Sequence, residues 1–266
     1  MNIMSIAGFL FILSVVAGGI LTTITKKEYH LFGDLPAIFL VIGGTIGAAS
    51  VTVQINRVWA LLKSFFIRMI KGKRINYKSV VQEMMIITEG YRRGESINEL
   101  LNKTSDYFLK EALQMVDDNV LKGEELFDVL ENRMENLHIH YTEEASRFKN
   151  LGKYPPAFGL MGTVLGMVAL LSNLGGADAM KLIGPAMGGC LMATFFGIVV
   201  ANVFILPIGD SMGENAKEIY LKNRMILEGV RLVVGKTNPI IVAEKLNSYL
   251  LPNDRLNWKE VLGSEV

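Results

Sequence analysis

Three polar side chains sit inside long apolar stretches: Thr163 between Tyr154 and Asn173, and Thr194 and Asn202 between Ile183 and Pro207. Their oxygens carry lone pairs that can hold water for a proton relay or replace part of the water shell of a small hard cation such as sodium. Thr194 and Asn202 are eight residues apart, nearly one above the other on a helix. With Thr163 they form a candidate ion pathway. The plainer alternative is that each hydroxyl bonds back to a carbonyl of its own helix, a common habit of threonine in membrane helices. Neither stretch contains Asp, Glu, Lys, Arg or His. A protein that moves ions through a membrane ordinarily shows an ionisable group there, because such a group is costly and persists for function. Either no ion moves, or a partner subunit places a carboxylate against Thr163 and Thr194.

The elements that must position these oxygens are membrane helices. A run of about 20 predominantly apolar residues is long enough to cross the hydrocarbon core, and Ile3 to Thr25 and Leu35 to Gln54 supply two further runs. Small residues recur at intervals of four: Gly162 and Gly166 in the third run, Gly189, Ala193, Gly197 and Ala201 in the fourth, Gly43 and Gly47 in the second. In lipid, such stripes let backbones approach closely. The spacing therefore predicts a helix pressed against each stripe, and the number of stripes predicts homo-oligomeric rings. Pro156 suits the first turn of the third helix, with Pro155 beside it. Pro207 stands at the end of the fourth, where it stops the helix or bends it.

Half of the 266 residues are hydrophobic, yet 27 are basic and 26 acidic, so charge must be segregated from the apolar runs. The net charge of +1 gives no support for nucleic-acid binding. The single cysteine, Cys190, lies within the fourth run and reads as a packing residue. The first run lacks a basic leader and a cleavage site, so it reads as a transmembrane helix and not a signal peptide. Arg57, Lys63, Arg68, Lys71, Lys73 and Arg74 follow the second run, Lys149 and Lys153 precede the third, and Lys217, Lys222 and Arg224 follow the fourth. Lys26, Lys27 and Lys181 are the few cations on the other side. By the positive-inside rule both termini are cytoplasmic and the protein crosses its membrane several times.

The expected fold is all-α: transmembrane helices over 1–55, a helical cytoplasmic loop domain over 56–153, two more transmembrane helices over 154–208 and a helical cytoplasmic tail over 209–266. In the loop, Leu109, Leu113 and Val116 form one apolar stripe and Val120, Leu121, Phe127 and Leu130 another. His138 and His140 are two apart, share no helical face and read as surface residues. The tail should continue the fourth helix to Val234, break at Gly235 and restart at Asn238-Pro239. From Pro252 onward it should fray. No nucleophile, metal cluster or phosphate loop supports an enzyme or a bound prosthetic cofactor.

The block KYPPAFGLMGTVLGMVALLSN followed by IGPAMGGCLMATFFGIVVANVFILPI resembles the third and fourth membrane helices of the MotA/PomA family of flagellar motor stator subunits. The resemblance runs more weakly through the VIGGT of the second run and the four-helix layout. It implies coupling of proton or sodium flow to torque, in a homo-oligomer, a pentamer in known relatives, around a MotB-like single-span partner whose helix carries the essential Asp. It also implies that Arg92 and Arg93 are similar to the family's basic pair that engages the rotor protein FliG, with Glu99 as the acidic member, although Glu95 interrupts the family's paired glycines. Without it, Arg92 and Arg93 read as a solvated helix face. Pro156 and Pro207 match the family's two prolines, with a coupling role. An ExbB/TolQ-like energiser is the second reading; such subunits have three membrane helices and the long loop after the first.

Overall fold

The computed structural model describes residues 3–23, 34–52, 75–121, 123–172 and 179–258. Among these there is no strand. The chain divides into two compact units, one over Met1–Lys73 and Thr142–Gly213, the other over Arg74–Tyr141 and Glu214–Val266. Lys26, Lys27, Arg57, Lys63, Arg68, Lys71, Lys73 and Arg74, which carry much of the orientation argument, lie outside the described residues.

The first unit holds α1 (Ile3–Thr23), α2 (Leu35–Thr52), α7 (Tyr154–Ser172) and α8 (Ala179–Val199). These helices are apolar on all sides, which suits a membrane span. Phe39, Val51, Leu160 and Leu191 are among the large apolar side chains they expose. Two helical stretches, Glu124–Ser172 and Ile183–Val234, contain a segment long and apolar enough to cross a membrane; the apolar helices Leu10–Thr22 and Leu35–Val51 are shorter. The expected ends of the first two runs at Thr25 and Gln54 fall outside the described residues.

The second unit is a helical bundle. Its elements are α3 (Tyr77–Arg93), α4 (Ile97–Leu101), α5 (Tyr107–Asp118), most of α6 (Glu124–Asn150), most of α9 (Leu206–Val234) and α10 (Pro239–Asn247). Local chemistry fixes each boundary. Asn76 caps α3 by accepting from the Ser79 N–H, and Gly94 ends it at φ +87°, a conformation in which glycine alone is unstrained. Asp106 caps α5, accepting from Phe108 and Leu109, while its other oxygen takes Lys222 of α9 at 2.5 Å. Inside, Met84, Ile87, Leu100, Leu109, Leu113, Leu130, Met225, Ile226, Val230 and Leu246 are fully buried in one core.

Three readings change here. Val120 leaves its expected stripe: it is 82% exposed, because Asn119 adopts a left-handed conformation and ends α5 before it. The break after α9 falls at Gly235 as expected, with Lys236, at φ +49°, as the left-handed residue of the turn. His138 is no simple surface residue. Its ring stacks on Tyr220 at 4.5 Å between centroids, and its Nδ1 is buried.

The last correction is the largest, because the segment from Pro252 to Trp258 is docked and not frayed. Asn247, 5% exposed, donates to the Leu256 carbonyl and accepts from the Leu256 N–H, both at 2.9 Å. Its amide thus pairs with backbone as a neighbouring strand would. Trp258 donates to Glu244 at 2.7 Å, and Leu256 and Trp258 pack on the core. Asp254 reaches the surroundings of Tyr77, whose phenol is held above its ordinary value by burial first and then by the charges of Glu218 and Asp254.

Replacing Asn247 by Leu keeps the volume but strands a backbone N–H and C=O, a loss of about 1–3 kcal/mol. We expect Asn247→Leu to speed tryptic cleavage at Arg255 of the purified protein while α9 stays resistant. An unchanged cleavage rate would show that the clamp does not hold the segment.

Candidate functional site

The centre of the first unit is the seam between α7 and α8. A Cβ at Gly162 would stand 2.8 Å from the Ala193 Cβ, one at Gly166 would stand 2.4 Å from the Cys190 Sγ, and one at Gly197 would stand 2.4 Å from the Pro155 carbonyl oxygen. All three are closer than real Cβ contacts. Ala193 and Ala201 are buried at 2% and 1% exposure. The predicted helix therefore does press on the stripes, but it comes from the same chain: Gly162, Gly166, Ala193 and Gly197 are used in the α7–α8 contact and carry no argument for a ring. Gly189 faces α2 instead, its absent Cβ lying 3.2 Å from the Asp34 Oδ2. In α2 the close residue is Gly44, against the Phe158 ring; among the described residues nothing lies within 4 Å of a Cβ built at Gly43 or Gly47.

Within this seam the two threonines meet. Their Oγ1 atoms are 2.5 Å apart. Thr163 also donates across the seam to the Cys190 carbonyl at 2.9 Å, and Thr194 reaches the Gly159 carbonyl at 3.4 Å. Cys190 precedes Thr194 by one turn and Gly159 precedes Thr163 by one turn, so each hydroxyl takes the carbonyl that the other would use for back-bonding. Thr163 keeps its own Gly159 carbonyl within 3.2 Å as an alternative. Each hydroxyl has one proton to give. Both protons are taken by oxygens of the seam, so the lone pairs are what the pair can offer to an incoming cation or water. Four oxygens from two helices converge here, a donor set of hard-cation type.

Asn202 is not part of this cluster. Its side chain is exposed and donates to the Ile198 carbonyl of its own helix at 3.0 Å. It lies in a π-helical segment, Val200–Ile205, whose wider turn alters the register after Thr194. Sequence reasoning passed over Asp34. Its Oδ1 caps α2 by accepting from Ala37 at 3.3 Å, and its Oδ2 lies against α8 at Gly189. It stands one residue outside the apolar run, which is why a search for charges within runs missed it.

Both proline positions lie next to irregular turns. Pro155 and Pro156 follow the 3₁₀ turn Leu151–Lys153, and Pro207 follows the π segment, where the Leu206 N–H bonds to the Ala201 carbonyl. Proline lacks the N–H that would complete the α-helical ladder, and a wider or tighter turn accommodates the loss. Pro207 therefore does not stop the helix, since α9 continues directly. The two turns pack together. A Cβ at Gly152 would lie 2.9 Å from the Leu206 Cδ2, and one at Gly209 would lie 3.0 Å from the Lys149 Cα. Lys149 pairs with Asp210 at 2.6 Å beside a cluster of Ala49, Phe148, Leu151 and Ile208.

In the second unit Arg92 and Arg93 occupy the last turn of α3 and both pair with Glu89, at 3.4 and 2.9 Å. They are 40% and 68% exposed, so these pairs are weak and leave both guanidinium groups open to a partner. Glu99 has a local duty: with Ser96 it forms a capping box at the start of α4. Glu95 pairs with Lys103. Among the described residues no group of three or more His, Cys, Asp or Glu could hold a metal ion.

Residues 101–225 match the MotA/TolQ/ExbB proton channel family. Motility protein A of Borreliella burgdorferi is 28% identical over 272 residues, covering all of both chains. Chemotaxis protein PomA of Vibrio alginolyticus is 25% identical, with 92% of each chain covered. The solved structure of C. jejuni MotAB superposes with a TM-score of 0.81 at 25% identity, covering 97% of this chain and 99% of that one. The chain is similar over its whole length to members of the MotA/PomA family. The likeness to these relatives runs the length of the chain, including the docked tail, and favours the stator reading over the ExbB/TolQ one.

Gly197 tests the seam. Replacing it by Leu drives a side chain into the Pro155 backbone, which cannot swing aside, and overpacking costs ~1–3 kcal/mol or more. We expect Gly197→Leu to lower the thermal midpoint of the purified complex by several degrees. A midpoint equal to wild type would mean that the position faces lipid.

Proposed function

We propose that this chain is a stator subunit of the bacterial flagellar motor which, with a MotB-like partner, conducts protons or sodium ions and converts their flow into torque on the rotor. The observation that carries the mechanism is the Thr163–Thr194 pair at 2.5 Å with the carbonyls of Gly159 and Cys190 around it. Neither α7 nor its facing stretch of α8 carries a carboxylate, so the partner's single membrane helix supplies the Asp, and the threonine oxygens receive the ion as it meets that group. The likeness to a MotAB structure supports such a partner.

In this reading α1, α2, α7 and the α8 stretch are four membrane spans of an inner-membrane protein with both termini in the cytoplasm, and lipid covers their exposed apolar faces. Several copies, five by resemblance to the family, surround the partner. When the partner's Asp changes charge beside Thr163 and Thr194, its attraction to each copy changes and the favoured contact passes to the next copy. Pro156 and Pro207, on the paired irregular turns at the end of the seam, hold the geometry through which that step reaches the second unit. Arg92 and Arg93 meet the rotor protein FliG, and Glu99 is secondary because its carboxylate serves α4.

Two experiments test this, with the chain and its partner expressed in cells lacking their own stators. Thr163→Val and Thr194→Val keep shape but remove the hydroxyl; assembly should persist while torque falls at least about tenfold, since one hydrogen-bonding group at a reaction centre is worth that much or more. Swimming at wild-type speed would remove the pair from the ion path. The double variant Arg92→Glu, Arg93→Glu should assemble normally but swim poorly, because exposed charges steer association more than they stabilise a fold. Full motility there would place the rotor contact elsewhere.

A further inference from the structure

Gly159 is buried in the seam and differs from Gly162 and Gly166, the next two seam glycines of α7, in what it touches. A Cβ at Gly159 would stand 2.7 Å from the Ala193 carbonyl oxygen and 3.0 Å from the Thr194 Cα, both backbone atoms. The obstacle at Gly162 is the side chains of Ala193 and Leu40, and at Gly166 it is chiefly the Cys190 sulfur. Side chains can be trimmed or turned, whereas a backbone has to move as a helix. The Gly159 carbonyl is also the acceptor that both hydroxyls share, at 3.2 Å from Thr163 and 3.4 Å from Thr194.

From these two facts we infer that Gly159 is the positioning residue of the ion track: its missing side chain sets the separation of the threonine hydroxyls, and its carbonyl orients them. This rests on the track proposed above. A methyl group at this position requires α8 to withdraw by about 0.7 Å to reach ordinary contact, which carries both cross-seam bonds, Thr194 to Gly159 and Thr163 to Cys190, beyond hydrogen-bonding distance. The two hydroxyls then stand about 3.2 Å apart in place of 2.5 Å, and having lost the carbonyls across the seam each falls back on its own helix. The ion loses an oxygen cluster without any change in the residues that supply it.

The test uses the full chain with its partner in cells lacking other stators, recording speed per engaged stator as sodium is titrated at fixed pH and as pH is titrated at fixed sodium. Gly159→Ala should leave the number of engaged stators near wild type. It should shift the ion concentration for half-maximal speed by at least about fivefold, the effect of losing one ordinary hydrogen bond. Adding Ala193→Gly should not restore it, because the obstructing oxygen belongs to the backbone. Gly162→Ala adds the same methyl one turn away, and its half-maximal concentration should stay near wild type once Ala193→Gly makes room. The inference is overturned if Gly159→Ala leaves the half-maximal concentration unchanged, if it alters only the number of stators, or if it prevents assembly, since each makes Gly159 a packing residue. If Thr163→Val and Thr194→Val both keep wild-type ion dependence, the track itself fails, an outcome separate from any result at position 159.

Discussion

Everything in the first unit depends on how closely two backbones approach. Van der Waals contact between apolar helices offers little in lipid, where the tails are as apolar as leucine. What α7 and α8 gain over separate solvation is the contact made possible where Gly159, Gly162, Gly166 and Gly197 carry no side chain. That closeness also lets a threonine hydroxyl, with its short reach, cross to a carbonyl of the other helix. Packing and polar chemistry are therefore one constraint here. A larger separation would return each threonine to back-bonding on its own helix, the behaviour of threonine in any isolated span.

The second unit is held by ordinary soluble-protein means: a buried apolar core, capped helix ends and a half-buried ion pair between Lys222 and Asp106, each 19% exposed. Asp106 serves twice, as the cap of α5 and as the partner of α9. The residues proposed to meet the rotor stand on this frame, on the last turn of a helix whose other face is buried through Val81, Met84 and Ile87. Their charges carry almost no folding burden, which leaves them free to be spent on recognition.

The signals legible in the sequence were those that depend on local rules. Apolar runs gave the helices of the first unit, four-residue spacing gave the seam, and Asn238-Pro239 gave the start of α10. Thr163 and Thr194 were singled out because hydroxyls in apolar runs are conspicuous. Their meeting was not legible, since nothing in either run says which turn faces which. Asn202 was stacked with Thr194 for a related reason, its spacing having been counted on a regular helix, whereas a π turn lies between regular turns there. The docked tail was missed because Asn247 makes its two bonds nine residues along the chain, and a polar segment pinned by one buried amide has the composition of a frayed one. Asp34 escaped because its sequence neighbours are loop-like, while its carboxylate reaches another helix.

The π segment at Val200–Ile205 bears on how relatives of this chain are compared. A wide turn holds an additional residue relative to regular α-helix, so the two sides of the segment are out of phase by about 100°, one residue's rotation. A single helical wheel drawn from Ile183 to Val234 would assign every side chain beyond Ile205 to the wrong quadrant. Two relatives that differ by one residue here can share both the α8 seam and the α9 core face. A gap in an alignment at this place marks a change of winding, and the residues on either side of it should be matched separately.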